Sequence, residues 1–438
     1  MNALPPRDFV SSQQEPLIPA GSPRGGSPET GVPTLARRFL TTPRRPRARR
    51  SRWRPLLLLL GIIALAAIVA GIPVVQDQAA RLRWYLTDET PPSVVISAPS
   101  QTVRGVITAT VDVQDQGPAE LDALRLDGQT LTPTQRIVID TAALQDGEHI
   151  LWAEARDQSR QRNLARAQVT LRTENTAPTI TVTLDPSTPA QGQAAVLRVT
   201  LSKAATVTAS YDGNPMLLVP LSDTVRWGLL GFGADAKLVT HTLTLAATDW
   251  LGNSSRVTQT FSVTVTKFIV EDIELPPDRV GLANSPDEAQ RLAQASAVVT
   301  TAPLWQGLFR VPAPGEVTAP FGEARSYNGG PVASWHGGVD LAAPAGGPVL
   351  AAAAGRVVLA QKLTVQGNTV VIDHGLGLIS AYFHMDAIQV KVGDAVKQGQ
   401  AVGVVGNTGL STGPHLHWEI RLGGVPVDPW QWTKRTVP

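Results

Sequence analysis

The chain has 438 residues, with 38 Lys+Arg, 36 Asp+Glu and no cysteine, which excludes disulfides, thiolate metal sites and thiol nucleophiles. The formal charge of +2 hides an asymmetry: residues 1–54 hold eleven arginines against Asp8, Glu15 and Glu29, while the rest holds 27 basic against 33 acidic residues. A mildly acidic body is not the footprint of a phosphate-backbone binder, so no nucleic-acid partner is expected.

Residues 1–54, rich in Pro, Ser, Gly and Arg, read as a disordered basic cytoplasmic tail. Residues 55–75 read as a membrane anchor. Leu56 to Val75 is twenty residues without a charge, about 30 Å long as a helix, which matches a bilayer core. Nine arginines lie between Arg37 and Arg54, and no acid lies between Glu29 and Asp77. The positive-inside rule then leaves the N-terminus in the cytoplasm and everything after Val75 outside. A cleaved signal peptide fits less well because 55 residues precede the run, and a buried core helix fits less well because the run is apolar on every face. The expectation is a single-pass protein of the cytoplasmic membrane whose helix continues briefly into residues 76–90.

From Pro91 to about Thr266 the texture changes to short alternating strands, as in Val94–Ile96, Val106–Val113 and Val196–Leu201. The region repeats. Thr90-Pro-Pro-Ser-Val and Thr176-Ala-Pro-Thr-Ile open two units; His149-Ile-Leu-Trp-Ala-Glu-Ala-Arg-Asp157 and His241-Thr-Leu-Thr-Leu-Ala-Ala-Thr-Asp249 close them. A period of about 86–92 residues suits an immunoglobulin-like sandwich, and residues 91–174 and 175–266 resemble bacterial Ig-like modules. His149 and His241 read as equivalent strand residues, since neither has neighbouring donors for a metal. Residues 267–309 read as a connector, with Ser285-Pro286-Asp-Glu opening a short helix to about Ala297.

Residues 310–438 read as a compact antiparallel β domain. Strand candidates are Gly355–Leu359, Asn368–Asp373, Leu378–His384, Ala401–Val405 and His415–Arg421, with Asp373-His-Gly-Leu-Gly377 as a hairpin turn. The fold class of the whole is therefore mainly β behind one transmembrane helix. Five of the seven histidines fall in this last part, at 336, 374, 384, 415 and 417. His336-Gly-Gly-Val-Asp340 and His415-Leu-His417 supply imidazoles and a carboxylate of the kind that suit a zinc ion with an open fourth position. Strand alternation sets His415, His417 and Glu419 on one face, and likewise Tyr382 and His384. Gly337 and Gly338 argue for a turn entering a strand at His336–Asp340. His374 has no expected place beside the metal, Glu419 reads as a supporting strand residue, and Asn368 as a turn residue.

His336-x-Gly-x-Asp340, Tyr382-x-His384 and His415-x-His417, in that order, resemble the lysostaphin-type zinc endopeptidases, the murein hydrolases of the twenty-third metallopeptidase family. The resemblance covers roughly residues 310–432. It implies one zinc ion held by His336, Asp340 and His417, with His415 and His384 as catalytic histidines. His415 would act as general base and His384 would hydrogen-bond the oxyanion or leaving group. Met385 departs from the family, which usually carries Leu there. The expected activity is hydrolysis of stem peptides or cross-links of peptidoglycan, with the Ig-like units as spacers or docking sites for cell-wall or division proteins. The alternative is a silent or latent regulator of other wall hydrolases, since residues 267–335 are placed to shut the site. A lipoyl-type carrier, suggested by Val390-Lys-Val-Gly-Asp-Ala-Val, lacks an exposed lysine turn and leaves the histidines without a role.

Overall fold

The computed structural model describes residues 53–274, 286–298 and 300–437. The basic tail up to residue 52, the Leu275-Pro-Pro-Asp segment and Ser285, expected as a helix cap, lie outside the described residues. Helix α1, Trp53–Thr87, carries the apolar run, with its leucines and isoleucines exposed. The stretch Leu56–Thr87 is long and apolar enough to cross a membrane. The helix thus continues twelve residues beyond Val75, further than the uncharged run alone indicates.

Two two-sheet β units follow. The first pairs strands 93–97, 106–114 and 136–140 against strands 119–126, 129–131, 147–157 and 164–173. Its alternation is explicit in Val106–Gln114, where Ile107, Ala109 and Val111 face the core and Thr108, Thr110 and Asp112 face out. The second unit pairs strands 206–211, 214–216, 240–248 and 254–262 with strands 180–185, 194–201, 219–220 and 225–231. The histidines that mark the repeat have equivalent partners. His149 Nδ1 lies 2.6 Å from Asp127 Oδ2, and His241 Nδ1 lies 2.7 Å from Asp212 Oδ2.

The C-terminal part is built on one antiparallel sheet. Its connector supplies β1 (Val270–Ile273). The strands that follow are β2 (Glu316–Ala319), β3 (Ala324–Tyr327), β4 (Val332–Trp335), β5 (Val339–Ala342), β6 (Gly355–Leu363), β7 (Gly367–Gly375), β8 (Leu378–Met385), β9 (Ala395–Val396), β10 (Leu416–Leu422) and β11 (Val425–Val427). The main sheet runs β2-β5-β10-β8-β7-β6-β9, with β11 added to β10. β1 pairs in parallel with β3, which pairs with β4. One face of the sheet, with Val339, Leu341, Tyr382, Leu416, Trp418 and Ile420, is core. Helix α2 (Pro286–Ser296) covers part of the other face through Leu292 and Ala295, which pack on Val371, Ile379, Ala381 and Phe383. Glu288 fixes the helix there by accepting from the Thr364 and Val365 amides.

The second β unit shares the core of this sheet. Ala194, Val196 and Trp227 join Leu422, Val427 and Trp432 in one apolar cluster. Ala195, Leu197 and Val199 face the unit's own interior, so strand 194–201 is buried on both sides. A Cβ on Gly231 would meet Leu422 Cβ at 3.1 Å, which measures how closely the two sheets approach. The Asp428 amide donates to Gly192 O (2.7 Å) and the Ala194 amide to Gln431 Oε1 (2.7 Å) across the same seam.

Candidate metal centre and cleft

The site grows from a row of three residues on the helix-bearing face of the sheet. Asp340 on β5 is directly paired with His417 on β10, and His417 with Phe383 on β8. The Phe383 ring stacks on the His417 imidazole at 5.3 Å and 11°, fixing its plane. His336 sits just ahead of β5, with its amide donating to Glu323 O and its carbonyl accepting from Gly322 N. The two glycines between His336 and β5 are required by space: a Cβ on Gly338 would lie 2.3 Å from Trp418 O, and one on Gly337 2.7 Å from Glu419 Oε1. The sequence reading of a glycine-enabled turn into a strand matches this arrangement.

His336 Nε2, Asp340 Oδ1 and His417 Nδ1 converge. Asp340 Oδ1 lies 3.1 Å from the first nitrogen and 2.6 Å from the second, and the nitrogens are 2.9 Å apart. The outer nitrogen of each ring is committed. His336 Nδ1–H donates to Pro320 O (2.8 Å), and His417 Nε2–H donates to Glu419 Oε1 (3.1 Å). Glu419 is held in turn by Arg421 at 2.6 Å. Both inner nitrogens are therefore left for a shared proton or a cation, and this outer support is how ligating histidines are usually oriented.

The electrostatics favour positive charge at the centre. Burial works against Asp340, but hydrogen bonds from His336 and His417 outweigh it and hold its carboxyl far below the ordinary range. Burial also opposes protonation of His417, yet the Asp340 and Glu419 contacts push it up to about 9. Burial pushes His336 down. A cluster of two imidazoles and one anionic carboxylate that draws in a proton fits a zinc ion by its donor chemistry.

His415 and His384 flank this cluster. His415 Nδ1–H donates to Gly413 O (2.8 Å), and its Nε2 lies 3.8 Å from Asp340 Oδ1. His384 Nδ1–H donates to Thr408 O (2.9 Å), and the two rings are 4.9 Å apart. Burial and the charge of His417 push His384 down to about 4, so it is neutral with Nε2 as an acceptor. Together these histidines line an open cleft of 430 Å³ with Asp340, His417, Thr318, Ser411, Glu271 and Arg325.

The expectation that Tyr382 and His384 share a face is corrected. Tyr382 points into the core, where its hydroxyl accepts from the Ala352 amide and lies 2.8 Å from Ser380 Oγ. His384 leaves the alternation because its φ is +61° and the β7–β8 register shifts beside it. The hairpin turn is also shorter than expected: β7 runs to Gly375, and only Leu376 and Gly377 turn. His374 lies buried in β7, away from the cluster. It donates from Nδ1 to Ala354 O and accepts from Ser380 Oγ at Nε2, and burial pushes it down to about 4. Asn368 ties Met385 O and Asp386 O.

Arg325 and Glu271 escaped the sequence reading. Both reach the cleft through the β1–β3 pairing, and no spacing relates them to the histidines. Arg325 Nη2 lies 3.8 Å from Asp340 Oδ2, and its Nε is buried without a partner.

This sheet and cluster lie in the part of the chain that matches the model of peptidase family M23, residues 334–429, so the chain carries an M23 domain there. Among curated relatives, the chain is 45% identical over 93 residues to the peptidoglycan DD-endopeptidase ShyA of Vibrio cholerae. That match covers 21% of this chain and 22% of the relative. It is 41% identical over 116 residues to the DD-carboxypeptidase/endopeptidase Mpg of Neisseria meningitidis, covering 26% of each chain. The chain thus spans about a quarter of the length of these relatives. A crystal structure of a putative M23 peptidase from Pseudomonas aeruginosa is 29% identical with a TM-score of 0.42, covering 56% of this chain and 94% of that one.

Proposed function

We propose that the protein is a membrane-anchored zinc endopeptidase that hydrolyses peptides of bacterial peptidoglycan. The observation that carries this reading is the convergence of His336 Nε2, Asp340 Oδ1 and His417 Nδ1 in an open cleft, each imidazole braced from behind. These three residues would hold the metal. Zinc in such a donor set supplies an activated water and polarises the substrate carbonyl.

The chain's own residues do the rest. His415, locked by its Nδ1–H bond to Gly413 O, presents Nε2 to take the proton from the attacking water and return it to the departing amine. His384, neutral with its Nδ1–H committed to Thr408 O, presents Nε2 as an acceptor that orients the attacking water. Arg325 adds a positive wall for an acidic group of the peptide. Helix α1 anchors the chain with its arginine-rich N-terminus in the cytoplasm and the cleft outside. The two β units are read as Ig-like modules between them.

The test is digestion of purified murein by the full chain in detergent, with fragments identified by mass spectrometry. New amino termini should appear, vanish with a chelator and with His336→Ala or His417→Ala, and return with zinc. Undiminished release from either variant would overturn the proposal.

A further inference from the structure

The two β units can be compared residue by residue where each meets the chain that precedes it. In the second unit, Asn253 Nδ2 donates to Glu174 O (2.9 Å) and to Asp249 Oδ2 (2.9 Å). In the first, Asn163 Nδ2 donates to Asp88 O (3.0 Å) and to Asp157 Oδ2 (2.8 Å). Asp88 therefore corresponds to Glu174, and Asp157 to Asp249. Both pairs put two carboxylates at one junction, where a cation would relieve their mutual repulsion.

The second unit has its cation built in. Lys203 Nζ lies 2.7 Å from Asp249 Oδ2 and 2.6 Å from Glu174 Oε1. In the first unit Val94 pairs with Val113, and in the second Ile180 pairs with Leu201, so Asp115 stands where Lys203 would be. In place of an ammonium the first unit brings a third carboxylate. One oxygen each of Asp88, Asp115 and Asp157 lie within 4.8 Å of one another. Among the described residues, no ion pair reaches any of the three.

The carboxylates are not idle surface acids. Asp88 is only 9% exposed, and its Oδ2 is buried without a hydrogen-bond partner, as is Asp115 Oδ2. Asp157 is fully buried and anchored by the Ser159 and Asn163 amides. The last turn of α1 closes one side: Trp84 packs so tightly on Gly117 that a Cβ there would lie 2.1 Å from the indole. A helix C-terminus adds further negative character.

We propose that Asp88, Asp115 and Asp157 bind a calcium ion, which does for the first unit what Lys203 does for the second. The donors are all hard oxygens with no nitrogen among them, which selects calcium over zinc. Oxygens up to 4.8 Å apart suit calcium's ligand distances of about 2.3–2.6 Å. The ion would clamp the residues leaving α1 onto the first unit.

The experiment is calorimetric titration of calcium into the zinc-loaded full chain in detergent, with excess magnesium present. One calcium should bind, and it should bind equally to the His336→Ala, His417→Ala double variant. Asp115→Asn should weaken it on the order of 10²-fold. Asp115→Lys, which restores the ammonium of the second unit, should abolish calcium binding and give a melting temperature independent of calcium. No binding at millimolar calcium, full competition by magnesium, or unchanged binding in Asp115→Asn or in Asp115→Lys would overturn the proposal.

Discussion

Each histidine of the cleft spends one nitrogen on the scaffold and leaves the other facing the cluster or the cleft, and the direction of that second nitrogen is what distinguishes the proposed roles. His336 and His417 aim their free nitrogens at each other and at Asp340; His415 and His384 aim theirs into the cleft. Replacing His415 or His384 by alanine should lower kcat by about 10²–10⁴-fold while leaving zinc stoichiometric. Metal analysis beside murein turnover checks this; activity that falls only in step with zinc content would contradict the roles. The convergence of His336, Asp340, His415 and His417 was legible from residue type and spacing, because His-x-His on a strand and His-x-Gly-x-Asp at a strand entry leave few geometries; the inclusion of His384 and the division of roles came only from the family resemblance. The opposite fates of Tyr382 and His384 were not legible, since they turn on one left-handed residue and one register shift. Nor was the contribution of Arg325, which depends on a strand pairing made by a segment before the domain.

At the level of elements, the repeated histidines are struts. His149 faces an acceptor at each nitrogen: Asp127 Oδ2 at Nδ1 and Gln145 O at Nε2. The bond to Asp127 accordingly raises the His149 pKa from 6.5, and the bond to His149 lowers Asp127 from 3.8. The sign follows from linkage. The histidine's contribution is complete below pH 6.5 and is lost as pH rises through its higher folded value. The aspartate's is complete above pH 3.8 and is lost as pH falls through its lower one. The melting transition of the first unit should therefore be highest between these limits and decline toward pH 8. His149→Gln should flatten that alkaline decline; an unchanged profile in a calorimetric pH series would refute the strut. The repeat itself was readable because both units set His, Leu, Ala and Asp at the same offsets. The full length of α1 was not, because residues 76–87 carry charges that end the apolar signal without ending the helix.

Across the whole molecule, the sequence separates parts that the packing joins. Ala194-Ala-Val-Leu197 reads as one strand of a sandwich, yet alternate residues serve two different cores. A single chain cannot announce which strand will be buried on both faces, except through such an unbroken apolar run. The joined core has a practical consequence for anyone preparing the peptidase by itself. A fragment cut at residue 310 would expose Leu422, Val427 and Trp432 where Ala194, Val196 and Trp227 had covered them. Contiguous apolar surface of that kind promotes self-association. Sedimentation should find the shorter fragment aggregating at concentrations where one beginning near residue 176 stays monomeric. The smallest well-behaved, soluble form of the C-terminal domain is then set by a neighbouring sheet that contributes no residue to the cleft.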